Sequence, residues 1–135
     1  MEIMQETLLA FGVDAEKMKK IRGLCLEMGI KPVAVPTDQL QAPLGLLAGA
    51  RGWMNPAMMV RQREAGSMDE EMIVMAGFSQ DLLELFLDRL KQTGGSVSLK
   101  AVLTDQNAVW NGGMLQEELK QERAAFWRRQ MGEEK

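Results

Sequence analysis

At 135 residues, with 46% apolar and 26% charged side chains, the chain has the size and balance of one folded domain. A net charge of −3 offers nucleic acid no electrostatic footprint, and a single cysteine excludes an internal disulfide. The absence of His and Tyr excludes Ser-His-Asp and Cys-His triads within the chain, so any chemistry would rest on carboxylates, Lys, Arg or a borrowed cofactor.

The first six residues are acidic where a secretory leader would be basic, and no apolar run is long enough to span a bilayer. A cytoplasmic protein without membrane contact is the expectation. Glu6 to Gly12 is an apolar run of strand length ending in Gly, the pattern of a strand buried on both faces. Asp14 predicts the N-cap of a helix, because its side-chain oxygen can take an orphaned N–H of the first turn. That helix carries Met18, Ile21, Cys25 and Met28 on one face and stops at Gly29. Val33 to Val35 predicts a second strand, followed by Thr37-Asp38-Gln39 and a short helix opening near Gly45. Residues 53–70, rich in Met, Gln and Arg with Gly66-Ser67 near the end, read as a connecting segment with a helical piece and a turn.

The same order then recurs. At an offset of 65, Glu71 to Gly77 repeats the strand, Ser79 the cap, and Leu83, Phe86 and Leu90 the helix face, joined by Leu82 and Leu87 and stopped by Gly94. Two extra residues near Gly95-Ser96 raise the offset to 67, at which Val33–Gln39 aligns with Lys100–Gln106 and Gly45 with Gly112. The chain is therefore read as a single domain, 1–135. Pseudo-repeats lie at 5–52 and 71–122, joined by segment 53–70 and followed by a helical extension at 123–135. The expected fold class is α/β: two degenerate strand–helix–strand–helix repeats form one four-stranded, mainly parallel sheet flanked by helices. Interleaving the strands of the two copies gives the alternative, a ferredoxin-like two-layer α/β sandwich.

Several side chains could carry function. The Thr-Asp-Gln turns each follow a strand, where open α/β sheets bind ligands; Asp38 and Asp105, with Asn107, could hold a small ligand or a hard cation. The same residues are also ordinary turn caps. Lys100, inside a strand, is either a desolvated reactive amine or an edge residue whose ammonium reaches water. Cys25, on an apolar helix face, reads as a core residue rather than a reactive thiol. Gly45 and Gly49 suit close packing of the short helix on the sheet or on another subunit. Trp53, Met54 and Met58 in the connecting segment are either core filler or an adaptable interaction surface. The C-terminal helix aligns Leu115, Leu119, Glu122 and Phe126 on one side, with Glu118, Glu122 and Arg123 as charged flanks. Its end carries Phe126 and Trp127 beside Arg128 and Arg129, the residue types enriched in interface hot spots.

Met75-Ala76-Gly77-Phe78-Ser79, Leu99-Lys100-Ala101-Val102-Leu103-Thr104, Asn107 and Trp110 before a Glu-rich helix together resemble a bacterial family, domain of unknown function 3783. Leu-Gly-Leu-Leu-Ala-Gly at 44–49 resembles a segment of that family's N-terminal half, so the likeness extends over roughly residues 6–122. The family often has Pro-Thr where Asp105-Gln106 stand. The resemblance implies the fold and brings no activity.

The functional expectation is a small cytoplasmic binding or protein-interaction module without catalytic residues, cofactor or metal. Its partner would be another protein or a second copy, not nucleic acid or membrane. The alternative is a small-molecule-binding enzyme using the carboxylates and Lys100 at the strand ends, with or without a divalent cation.

Overall fold

The computed structural model describes residues 3, 5–36, 39, 41–51 and 70–130. Its elements run β1 (Thr7–Phe11), α1 (Ala15–Glu27), β2 (Lys31–Ala34), α2 (Leu44–Leu47), β3 (Met72–Ala76), α3 (Gln80–Thr93), β4 (Leu99–Val102), a 3-10 turn (Asn107–Val109) and α4 (Gly112–Arg128). The strands form one sheet in the order β2-β1-β3-β4. β1 pairs with β2 and β3 with β4 in parallel, while β1 and β3 meet antiparallel at the centre. The fold is thus α/β with a mainly parallel sheet and one antiparallel pair.

Local chemistry sets the helix starts. Asp14 Oδ1 accepts from Lys17 N at 2.9 Å and Ser79 Oγ from Leu82 N at 3.1 Å, so each cap satisfies a first-turn donor that would otherwise lack a partner. Gly94 ends α3 at φ +79°, a left-handed conformation that costs a residue with Cβ roughly 1–2 kcal/mol. Gly29 does the same beyond α1, at φ +72°.

Alternation along the strands then sorts the core into two clusters. Leu8, Ala10, Ile73 and Met75 face Ile21, Cys25, Phe86 and Leu90 of α1 and α3. Leu9, Phe11, Met72 and Val74 face the other way, against Leu44, Ala108 and Leu115 of α2, the 3-10 turn and α4. Helices cover both faces, giving three layers; a ferredoxin-like sandwich would leave one face uncovered. Burial of every residue of β1 and β3 agrees with their uninterrupted apolar runs. It follows from a central position between two helix layers, and it holds although these two strands run antiparallel to each other.

The two β-α-β units have the same form. Across the centre Thr7 pairs with Ala76, Leu9 with Val74 and Phe11 with Met72, so a local two-fold axis passes between Leu9 and Val74, residues 65 apart. The ladders correct the alignment of the second strands. Leu8 pairs with Pro32 and Ile73 with Lys100, so Pro32 and Lys100 are equivalent and the offset is 68 rather than 67. One step of register sends a side chain to the other face, so Lys100 corresponds to Pro32 and not to Val33.

Long-range polar contacts fix the start of β3. Lys17 Nζ lies 2.6 Å from Glu71 Oε2, tying α1 to that strand end. Glu70 takes both guanidinium nitrogens of Arg123, at 3.0 and 2.7 Å, and its carbonyl accepts from Gln116 Nε2 at 2.9 Å. These bonds pin the middle of α4. Its N-terminal half buries Gly112, Leu115 and Gln116, whereas from Gln121 to Arg128 only Ala125 is half-buried and the rest are exposed.

Candidate functional site

The backbone after β4 is held by Asn107, which is only 8% exposed. Its Oδ1 accepts from Thr104 N at 2.8 Å and its Nδ2 donates to the Val102 carbonyl at 3.1 Å, while its own N–H donates to Thr104 Oγ1 at 3.1 Å. Leu103 N donates to Met75 O, so Leu103 faces β3 and its neighbours Val102 and Thr104 present their backbone groups to the open edge. The Asn107 carboxamide therefore bonds the edge as the N–H and C=O of one residue in a fifth parallel strand would. This turn also seats α2: Leu44 N donates to Trp110 O at 2.8 Å, and Asn111 Nδ2 approaches Gln41 Oε1 at 3.5 Å. Asn111 then caps α4, its Oδ1 accepting from Met114 N at 2.9 Å.

Between β4, this turn and α4 lies a groove of about 330 Å³. Ala101, Val102, Trp110, Leu115 and Leu119 supply its apolar surface. Thr104, Gln106 and Asn107 line one rim, and Glu118 and Glu122 the other. Residues 115, 118, 119 and 122 are spaced i, i+3, i+4, i+7, so one stripe of α4 forms the whole wall. Neither Glu118 nor Glu122 has an ion-pair partner among the described residues. Apolar floor and unpaired carboxylates together suit a ligand with an apolar body and a cationic end. The volume is at the low end for ligand sites, enough to seat one or two side chains.

The structure distributes the sequence-derived candidates unevenly. Asn107 lines the groove, but its side chain is committed to backbone bonds. Asp105 is exposed in the adjoining turn, outside the groove. Lys100 is exposed on β4 and donates to Val97 O at 2.9 Å, at the opposite end of the strand from Asn107. Asp38 lies outside the described residues, as do Trp53, Met54 and Met58. Phe126 and Trp127 are 49% and 55% exposed and stack edge to face at 5.9 Å. Cys25 is fully buried, and burial pushes its thiol up to about 12 against a small opposing pull from Arg22. It stays protonated at neutral pH and is a core residue, not a nucleophile. Among the described residues no three His, Cys, Asp or Glu side chains could together hold a metal ion, and no helix is long and apolar enough to cross a membrane.

The groove itself was not evident from the sequence. Glu118 and Glu122 stood out only as helix flanks, and Trp110 only as part of a family pattern. The available signal was the i, i+3, i+4, i+7 spacing of Leu115, Glu118, Leu119 and Glu122, an apolar stripe edged by acids. What it faces depends on the long-range packing of α4 against β4.

Comparison with curated proteins and with solved structures yields no match. Residues 71–126 match the model of a family described as domain of unknown function (DUF3783). That span runs from the residue before β3 to Phe126, narrower than the likeness over residues 6–122 implied, and takes in every residue lining the groove. The match thus covers the second β-α-β unit, α4 as far as Phe126 and the groove between them, and it is this part of the chain that is similar to the DUF3783 family.

Proposed function

We propose that the protein is a non-catalytic binding module of the cytoplasm, built from two degenerate copies of one β-α-β design, and that it docks a cationic, aromatic-bearing segment of a protein partner in the β4–α4 groove. The observation that carries this reading is the pairing of an apolar floor at Trp110, Val102 and Leu119 with the carboxylates of Glu118 and Glu122 on the rim, which have no ion-pair partner among the described residues. A buried free thiol at Cys25 is in keeping with a reducing compartment. The equivalence of Leu9 and Val74 about the local axis supports the duplication. An enzyme using Asp38, Asp105 and Lys100 with a divalent cation has less in its favour, because the Lys100 ammonium is engaged with Val97 O.

Titration of the 15N-labelled full chain with acetyl-Phe-Arg-Arg-amide tests the reading by amide and indole shifts. Val102, Trp110 and Leu119 are expected to shift, acetyl-Phe-Glu-Glu-amide is expected to have no effect, and Glu118→Gln with Glu122→Gln is expected to weaken binding about ten-fold, the scale of one lost charge-assisted contact. Equal response to both peptides, or none to the cationic one even when the chain's own basic end is reversed by Arg128→Glu with Arg129→Glu, would remove the groove as the binding surface.

A further inference from the structure

The α4 stripe that walls the groove does not end there. Leu115, Glu118, Leu119 and Glu122 continue at the same helical spacing to Phe126 and Arg129. The first half of the stripe is packed against β4 and acidic at its rim. The second half extends past the buried part of the helix, with Phe126 half-exposed and Arg128 and Arg129 exposed beside it. One helix thus carries both the wall of an apolar groove edged by carboxylates and an aromatic, cationic end of the kind proposed for its ligand. From Leu119 to Phe126 is seven residues, about 10 Å along the axis. The two features are therefore too far apart on a straight helix to meet within one chain, and close enough to meet between two antiparallel helices.

We propose that a second copy of this chain occupies the groove: two α4 helices pair antiparallel about a two-fold axis, and each inserts Phe126 into the other's groove. Arg128 and Arg129 of each copy then lie within a turn of the other's Glu118 and Glu122. The contact is self-complementary and closes at two copies, because each chain gives one aromatic end and receives one. This proposal rests on the reading of the groove as a docking site and names its occupant. Lys120 and Arg123 point to Glu70 on their own chain, so the pairing leaves those bonds intact.

Sedimentation of the full chain and of two charge-reversed variants tests it, with circular dichroism as the check on folding. The unaltered chain is expected at twice the monomer mass. Glu118→Arg with Glu122→Arg sets cations against the basic end, and Arg128→Glu with Arg129→Glu sets anions against the acidic groove, so each variant alone is expected to be monomeric. Mixed one to one, the variants have opposite charges in both halves of the contact, and the dimer is expected to return. Phe126→Ala is expected to weaken association at least about ten-fold, as hot-spot aromatics do. A monomeric unaltered chain, folded variants that fail to associate when mixed, or a dimer untouched by all three changes would overturn the proposal. The Arg128→Glu, Arg129→Glu variant keeps the groove intact, so its titration with acetyl-Phe-Arg-Arg-amide separates the two ideas. Binding there without a dimer in the unaltered chain overturns the second copy alone. No binding there overturns the groove reading as well.

Discussion

The two β-α-β units share one interior plan and part company at their outer strands. In the first unit, Lys31 N and Val35 N donate to Glu6 O and Ala10 O of the β1 side, so Pro32 faces the open edge. A proline there has no N–H to offer a further strand. In the second unit, the equivalent position is Lys100, which has an N–H, and the edge is protected by a charged side chain and by the Asn107 carboxamide on Val102 O and Thr104 N. One edge is closed by a missing donor and the other by a side chain in place of a strand. Both limit edge-to-edge pairing. The second solution brings a polar turn and α4 alongside the strand, and the groove lies there. The docking surface proposed above lies where the two units differ.

The shared interior is the first part of the comparison to break, and the largest effect is expected there. Leu90 of α3 stands at the offset of 65 from Cys25 of α1, and both are buried in the same cluster. Leu90→Ala is expected to cost about 2–5 kcal/mol, combining lost burial with a cavity. Cys25→Ala removes one small side-chain atom and is expected to cost about 1–2 kcal/mol. Urea unfolding followed by circular dichroism measures both. Equal costs would show that the two helices are not packed alike.

The edge of the second unit comes next. Asn107→Ala leaves the Val102 carbonyl and Thr104 N–H without their partner, and a cost of about 1–3 kcal/mol is expected. The change also uncovers the end of the β4 edge, so faster self-association on mild heating is expected beside the lower midpoint, read by light scattering. A variant as stable as the unaltered chain would mean that water replaces the carboxamide without loss and that the fifth-strand role is incidental.

Much of the interior was legible in the sequence because its determinants are local. Asp14 and Ser79 cap helices whose first turns lie three residues away, and Gly94 ends α3 within hydrogen-bond reach of Leu90 O. Uninterrupted apolar runs announced β1 and β3 as buried strands. Their antiparallel pairing was not legible, since burial on two faces constrains position and not direction. The second strands were aligned by the shared letters Thr-Asp-Gln, whereas register is set by ladder bonds such as Val35 N to Ala10 O and Leu103 N to Met75 O; those bonds moved the match by one residue. Asn107 could be singled out by type, but its role depends on which neighbours face the open edge. The groove depends on the fold most of all, because α4 is held over the sheet by long-range contacts: the bonds of Gln116 and Arg123 to Glu70, 46 and 53 residues away in sequence, and the packing of Leu115 and Leu119 with Leu99, Ala101 and Leu103.

Pro32 offers the smallest and most discriminating change. Pro32→Thr restores an outward N–H on β2 while keeping a residue suited to a strand. No bond inside the molecule is lost, so the expected destabilisation is only about 0.5–1 kcal/mol, from the greater freedom of the unfolded chain. The informative quantity is association, not stability. If Pro32 and Asn107 guard separate edges, each variant exposes one edge, and the double variant exposes both. The stability costs should then add, because the sites lie on opposite outer strands and share no partner. Self-association should more than add, because a molecule with two open edges can extend a sheet in both directions while a molecule with one can only pair. Light scattering that rises no faster in the double variant than in Asn107→Ala alone would show that β2 is guarded by something other than its proline, with Lys31 the next residue to change.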